Sequence, residues 1–305
     1  MPIAFSIVVP AYNEENYLGD CLDAVLRAAA GRSDVEIIVV DNNSTDGTRA
    51  VAEERIARRG GGDGGGATPV SVLAEPRPGA NRTREMGFAA ARGPIVAFID
   101  ADTKMPADWI VRVEREFARD PKLVCVSGPF IYYDLPLPVR ALVRTFYLLT
   151  LIVYVVGRVL FRRTTIVQGG NYAVRRDAFA AIGGQNVEIA FYGDDTDNAI
   201  RLSRIGTVKF MFSLTMPTSG RRLAKEGAFT MGLRYTMNNV WMAIFRRPFT
   251  REAKEVRFGK EEGTVYRPAN RFREGLIAVI TMAVLLAAIA GVIFMIFLAG
   301  RAFFG

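Results

Sequence analysis

Two short acidic signatures stand in fixed order along the 305-residue chain: Asp100-Ala101-Asp102 at the end of an apolar run, and Gly193-Asp194-Asp195-Thr196-Asp197 further on. A carboxylate pair at a strand end suits a hard divalent cation holding phosphates, and a later carboxylate suits a general base. Asp100 and Asp102, one residue apart, point the same way on an extended chain. Asp194 and Asp195 precede Ala199-Ile200-Arg201-Leu202, so they also fit the first turn of a helix, where carboxylates are favoured for structural reasons. Ahead of these signatures stand Val8-Val9-Pro10-Ala11-Tyr12-Asn13-Glu14-Glu15 and Asp41-Asn42-Asn43-Ser44-Thr45-Asp46-Gly47. Asp41 can accept a hydrogen bond from a base edge, and Tyr12 offers a ring to pack on it. Ser44, Thr45 and Asp46 already supply helix capping and turn formation, which leaves Asp41 available to a ligand.

Histidine is absent. A general base must therefore be a carboxylate, Tyr, Lys or Cys, and a metal site must be oxygen-rich, which favours Mg²⁺ or Mn²⁺ over zinc. The two cysteines, Cys21 and Cys125, lie in no metal-type spacing and argue against a disulfide framework, as in a reducing compartment.

The elements that must position these groups read as alternating strands and helices. Residues 3–9 form a β-branched apolar strand ended by Pro10, and 14–29 a helix with Leu18, Leu22, Val25 and Leu26 on one face. Strand 36–40, helix 45–59, strand 70–74, helix 82–91 and strand 95–99 follow. Buried-type strands alternating with helices predict a doubly wound, mostly parallel α/β sheet. Ligands of such sheets bind at the carboxyl ends of the strands, where Pro10-Ala11-Tyr12, Asp41 and Asp100 fall. The glycine run 60–66 lacks the Lys-Ser/Thr of a phosphate loop and follows a helix, so it reads as a surface loop.

Charge is unevenly spread. Residues 1–139 hold 15 basic and 20 acidic side chains, whereas 140–275 hold 23 basic and 11 acidic. The basic half runs into Leu276–Leu298, 23 residues without a charge. A helix of about 20 apolar residues crosses a bilayer, and soluble helices of this length normally keep a polar face. A transmembrane helix is therefore expected at 275–299. Arg267, Arg271 and Arg273 precede it and only Arg301 follows, so residues 1–275 are expected in the cytoplasm, with a single pass through the cytoplasmic membrane. The basic partners then point to anionic headgroups and phosphorylated substrates rather than nucleic acid. Residues 228–245 gather Phe229, Leu233, Val240, Trp241, Ile244 and Phe245 near one helical face and suit the headgroup layer; 146–156 fits either membrane contact or internal packing.

Val8–Glu15, Asp41–Gly47, Asp100-Ala101-Asp102, Gln168-Gly169-Gly170-Asn171 and Gly193–Gly206 together resemble the ordered motifs of the family-2 inverting glycosyltransferases of GT-A fold. The resemblance covers roughly residues 3–225. It implies a GT-A domain over 1–225, with 226–274 as a basic interfacial region before the membrane helix. It implies an inverting enzyme that moves one sugar from a UDP- or GDP-linked donor. Pro10, Ala11, Tyr12, Glu14, Asp41, Asp100, Ala101 and Asp102 would bind the nucleotide sugar, with Glu14 near the ribose. Asp102, with Asp100, would hold Mg²⁺ or Mn²⁺. Asp195 would be the base and Asp194 its positioning partner, although the usual Glu-Asp pair is Asp-Asp in this chain. Gly169, Gly170 and Asn171 would let the acceptor or sugar approach closely, and Arg221-Arg222 would grip a diphosphate or lipid phosphate. Processive members carry Arg-Trp near this place; Arg222-Leu223 points instead to single-sugar transfer. With the anchor, the expected acceptor is a membrane lipid such as a polyprenyl phosphate or a glycolipid.

Two other classes meet parts of the pattern. A nucleotidylyltransferase shares acidic ligands on a related fold, but typically opens with a Gly-rich, Arg-containing loop that Pro10-Ala11-Tyr12-Asn13-Glu14 does not provide. A catalytically inactive membrane scaffold would have no use for all these acids together.

Overall fold

The computed structural model describes residues 2–60, 68–145, 147, 166–189, 192–227 and scattered positions between 231 and 245. Its first half follows the strand–helix alternation: β1 (Phe5–Ala11), α1 (Leu18–Ala28), β2 (Val35–Asp41), α2 (Thr48–Gly60), β3 (Val70–Ala74), α3 (Ala80–Ala90) and β4 (Ile95–Ile99). Then come α4 (Trp109–Arg119), β5 (Leu123–Ser127), β6 (Phe130–Tyr132) and α5 (137–145). The chain continues through β7 (Asn171–Arg175), α6 (Arg176–Ala181), α7 (Asp194–Leu202), β8 (Thr207–Phe210), β9 (Met216–Thr218) and α8 (Arg221–Glu226).

Seven strands form one sheet in the order β3-β2-β1-β4-β7-β5-β8, and β6 pairs with β9 in a small second sheet. Every pair in the main sheet is parallel except those of β7, which runs antiparallel to both β4 and β5. This reversal carries the start of β7 to the edge where β1, β2 and β4 end: Asn171 lies opposite Ile99. A single sheet edge therefore holds Ala11, Asp41, Asp100 and Gly169-Gly170.

Successive strand residues face opposite sides of the sheet, and both sides are covered. Phe5, Ile7, Val9, Ile37 and Val39 pack with Leu18, Leu22 and Val25 of α1 and Trp109, Ile110 and Val113 of α4. Val8, Ile38, Phe98, Tyr172 and Val174 pack on the other side with Phe88 of α3, Phe179 of α6, and Ala199 and Leu202 of α7. The Phe98 and Tyr172 rings stack at 4.8 Å across the β4–β7 pair.

Two boundaries differ from the sequence expectation. Pro10 does not end β1: pairing with β2 continues through Ala11↔Asp41, while pairing with β4 reaches only Val8↔Phe98. The N–H that proline lacks thus falls beyond the β4 ladder. The first helix begins at Leu18 rather than Glu14, because Tyr17 N–H and Leu18 N–H both close a turn on the Glu14 carbonyl. Among the described residues no helix is long and apolar enough to cross a membrane. The expected span at 275–299, the glycine run beyond residue 60, and segment 148–156 lie outside the described residues, as does most of 228–245.

Candidate active site

The loops after β1 and β2 are laced together. Asn13 N–H donates to Ser44 Oγ (3.0 Å), and Asn13 Oδ1 accepts from Thr45 N–H (2.8 Å). Glu14 N–H donates to Thr48 Oγ1 (2.7 Å), and Glu15 accepts from Gly47 N–H (2.9 Å). Asp46 Oδ1 receives Thr48 N–H at 2.9 Å and so takes the capping role expected of this stretch, while Ser44 and Thr45 serve the neighbouring loop. Asp41, nearly buried, accepts from Ser44 N–H at 3.2 Å, so its carboxylate also closes its own turn. Tyr12 follows β1 and is half-buried.

Asp100 stands just past β4, where a buried arginine of α3 meets it. Arg84 donates through one terminal nitrogen to Asp100 Oδ1 and through the other to Asp194 Oδ2, both at 3.0 Å. One guanidinium thus joins the first acid of the strand-end signature to the first acid of α7. Burial works against the charge of Arg84, but Asp100 and Asp194 hold it protonated. Asp194 is buried, and Asp195 is mostly buried and accepts a hydrogen bond from Gly169 N–H at 2.9 Å. Burial raises the pKa of both carboxyls; for Asp195 the charge of Asp194 adds to the rise, and Arg84 opposes it in each.

Gly169 and Gly170 make room for these acids. A Cβ on Gly169 would lie 2.6 Å from Asp195 Oδ1, and one on Gly170 would lie 2.1 Å from the Asp100 carboxyl carbon. Gly170 also has φ +76°, a region that side chains with a Cβ seldom adopt. The glycine pair therefore admits the two carboxylates themselves, rather than standing open toward an acceptor.

Asp102 lies under the second, smaller sheet. It accepts from Thr218 Oγ1 (3.2 Å) and pairs with Arg221 (3.1 Å). The same Arg221 nitrogen also pairs with Glu14, and the guanidinium lies over the Tyr17 ring, 4.5 Å from its centre. Arg222 diverges from Arg221 and faces Glu226 at 3.7 Å, an acid that Arg234 also holds. The two arginines thus do not form the joint phosphate clamp their adjacency suggests.

Three expected ligand residues have their side chains in the protein interior. The Asn171 side chain is fully buried: Nδ2 donates to the carbonyls of Gly128 (2.9 Å) and Leu214 (2.9 Å), and Oδ1 accepts from Trp109 Nε1–H (3.0 Å). It ties the sheet to α4 and to the approach to β9, which corrects its assignment as an acceptor contact. The methyl groups of Ala11 and Ala101 belong to the core. The residues the sequence reading missed are Arg84, Tyr17, Thr218 and Asp134; Asp134 receives Ser219 Oγ–H and Gly220 N–H, each at 2.6 Å. Arg84 carried a readable signal, because it lies on the same helical stripe as Phe88 and Ala91, a charge on a buried face.

The donor set fits a hard divalent cation. Asp100 and Asp102 offer only oxygen, and each already faces a guanidinium, so both positions select positive charge. Among the described residues no group of three or more His, Cys, Asp or Glu comes together as a metal site. Were a cation to bind, Asp100 and Asp102 would be the protein oxygens to hold it, chemistry that suits Mg²⁺ or Mn²⁺.

The glycosyl transferase family 2 model matches residues 6–183, and that of glycosyl transferase family group 2 matches 95–303. An uncharacterized glycosyltransferase of Mycobacterium tuberculosis is 40% identical over 121 residues, covering 40% of this chain and 47% of that protein. The glycosyltransferase AglE of Haloferax volcanii is 31% identical over 108 residues, 35% of this chain and 33% of its own. The matched region thus spans less than half the length of these curated relatives. Among solved structures, the mannosyltransferase PcManGT of Pyrobaculum calidifontis, in complex with GDP-Man and Mn²⁺, superposes with a TM-score of 0.62 at 21% identity, over 99% of this chain and 82% of that one. Glucosyl-3-phosphoglycerate synthase of M. tuberculosis, in complex with Mn²⁺, UDP and phosphoglyceric acid, gives 0.52 at 22% identity, over 78% of each chain. At these identities the likeness is one of fold, the mostly parallel GT-A sheet.

Proposed function

Since the chain belongs to glycosyl transferase family 2, we propose that it moves one sugar from a nucleoside diphosphate to a membrane-lipid acceptor at the cytoplasmic face, with inversion at the anomeric carbon. The carrying observation is the Arg84 bridge. It sets the strand-end acid Asp100 beside the helix-start acids Asp194 and Asp195, which lie far apart in sequence.

The sheet edge holds the donor: Tyr12 and Asp41 face the base, and Glu14 faces the ribose. A divalent cation on Asp100 and Asp102, when bound, offsets the charge that builds on the departing diphosphate. Asp195 takes the proton from an acceptor hydroxyl as its oxygen attacks the anomeric carbon, and the bond to the diphosphate breaks on the opposite face. Asp194, fixed by Arg84, keeps the start of α7 in place, and Gly169 N–H fixes the Asp195 carboxylate. Among the described residues Asp100 and Asp194 are already engaged by Arg84, which leaves Asp195 as the one base of the scheme and supports a single displacement with inversion. The basic composition of residues 140–275 and the uncharged stretch Leu276–Leu298 support the lipid acceptor.

The test is incubation of the full chain with labelled UDP- and GDP-sugars and a membrane lipid extract. Mass spectrometry should find a lipid heavier by one sugar, and the anomeric NMR coupling constant should report inversion. Transfer of a nucleotidyl group, or no turnover with any donor, would sink the proposal.

A further inference from the structure

Arg221 occupies a place that the reaction gives to something else. Its guanidinium sits between Glu14 and Asp102, the first tied to the ribose and the second to the cation in the reading above, and rests on the Tyr17 ring. We propose that Arg221 is a placeholder cation: it and the divalent cation compete for Asp102, and on cation binding its guanidinium passes from Asp102 to the donor's diphosphate. The inference rests on the assignment of Asp102 as a cation ligand.

The backbone on the approach to Arg221 is fixed, so a change of partner falls to its side chain. Pro217–Gly220 is fastened to the Asp102 loop and to Asp134: Lys104 N–H donates to the Pro217 carbonyl (2.8 Å), Ser219 N–H to the Asp102 carbonyl (3.2 Å), and Gly220 N–H to Asp134 (2.6 Å). A Cβ on Gly220 would lie 2.2 Å from Leu135 Cγ, so this turn is also closely packed. The soft coordinate left is rotation of the long Arg221 side chain about a fixed Cα.

Charge then dictates the order of events. A divalent cation at Asp102 sets two positive charges beside a guanidinium that lies 3.1 Å from the same carboxylate, and one of the two must leave. Glu14 alone then holds Arg221 until a diphosphate supplies the second anionic partner, which guanidinium groups accept in bidentate fashion. Cation and diphosphate each remove an obstacle to the other, so their affinities are linked reciprocally.

Mn²⁺ binding to the 305-residue chain, read by the electron paramagnetic resonance of free Mn²⁺ with and without UDP or GDP, tests this without any turnover. Wild-type protein should bind Mn²⁺ about tenfold more tightly when the diphosphate is present, a usual size for coupled sites. Arg221→Met should bind Mn²⁺ alone about tenfold more tightly than wild type and gain less from the nucleotide than wild type does, the remaining gain being direct ligation by phosphate, whereas Arg221→Lys should stay near wild type. Unchanged or weaker Mn²⁺ binding by Arg221→Met overturns the placeholder role. Should Arg221→Met lose its near-ultraviolet dichroism, Tyr17→Leu removes the seat of the guanidinium instead and must tighten Mn²⁺ in the same way, or the role fails. Wild-type protein that binds no Mn²⁺ under any of these conditions overturns the cation assignment itself, a result distinct from Mn²⁺ binding that ignores Arg221.

Discussion

In the role proposed for Asp195, two demands on a general base meet. The carboxylate must reach an acceptor and must also be ionised, yet burial and the neighbouring Asp194 both favour its acid form. The proton therefore leaves Asp195 only above the ordinary carboxylate range, and turnover should fall as pH drops through that raised value. Asp194→Asn removes the like charge and should carry the acidic limb of kcat to lower pH. Arg84→Met removes the opposing positive charge and should carry it higher. A limb that stays in place in both variants belongs to another group. Asp195→Asn should leave donor affinity nearly intact by calorimetry and cut kcat by about 10²–10⁴; lost donor binding with unchanged turnover of the bound fraction would place the base elsewhere. The acids were legible from residue type and order alone, because carboxylates in pairs ask for a cation or a proton. Their common arginine was not singled out, since its partners come from a strand end and a helix start distant in sequence.

Among the elements, β7 governs the site's geometry. Asn171 at its start satisfies buried carbonyls and the Trp109 ring nitrogen at once. Asn171→Ala leaves several of these groups buried without partners and should cost about 3 kcal/mol in urea unfolding. A variant as stable as wild type that had lost only acceptor affinity would restore Asn171 as an acceptor contact. Gly170→Ala should act differently. Its positive φ opposes a side chain by about 1 kcal/mol, and the new methyl group would push on the Asp100 carboxylate. Its Mn²⁺ affinity should fall further than its stability. Measured together, equal losses would mean that the glycine serves only the turn. The parallel half of the sheet could be read from the sequence because its strands are short apolar runs separated by segments of helix length, the first with a clear apolar face. The position of Asn171–Arg175 could not, since a five-residue strand buried on both faces carries no sign of which neighbours it will pair with.

Across the whole molecule, an acidic first half that carries the donor-side motifs precedes a strongly basic second half and an uncharged stretch of 23 residues. A soluble acceptor would need neither the basic half nor the stretch. Truncation after residue 273 should therefore spare donor binding and donor hydrolysis while greatly weakening transfer to lipid in vesicles. Equal transfer by the truncated and full chains, with no response to lipid, would show that the acceptor comes from solution.

The reversed strand also sets a timetable for synthesis. β4 and β5 are close in sequence but are not neighbours in the sheet; β7, made about fifty residues after β5, must slide between them. Until the ribosome has released residue 175, each of these two strands lacks the partner that β7 provides. A nascent chain halted near residue 165 thus exposes open sheet edges, the form most prone to misassembly. Long-range closure of this kind slows folding relative to a sheet laid down in order. The strand that delivers Gly169 and Gly170 is thus the one that joins β4 to β5, and the site matures only after it, once α7 has brought Asp194 and Asp195 and β8 has closed the far side of β5.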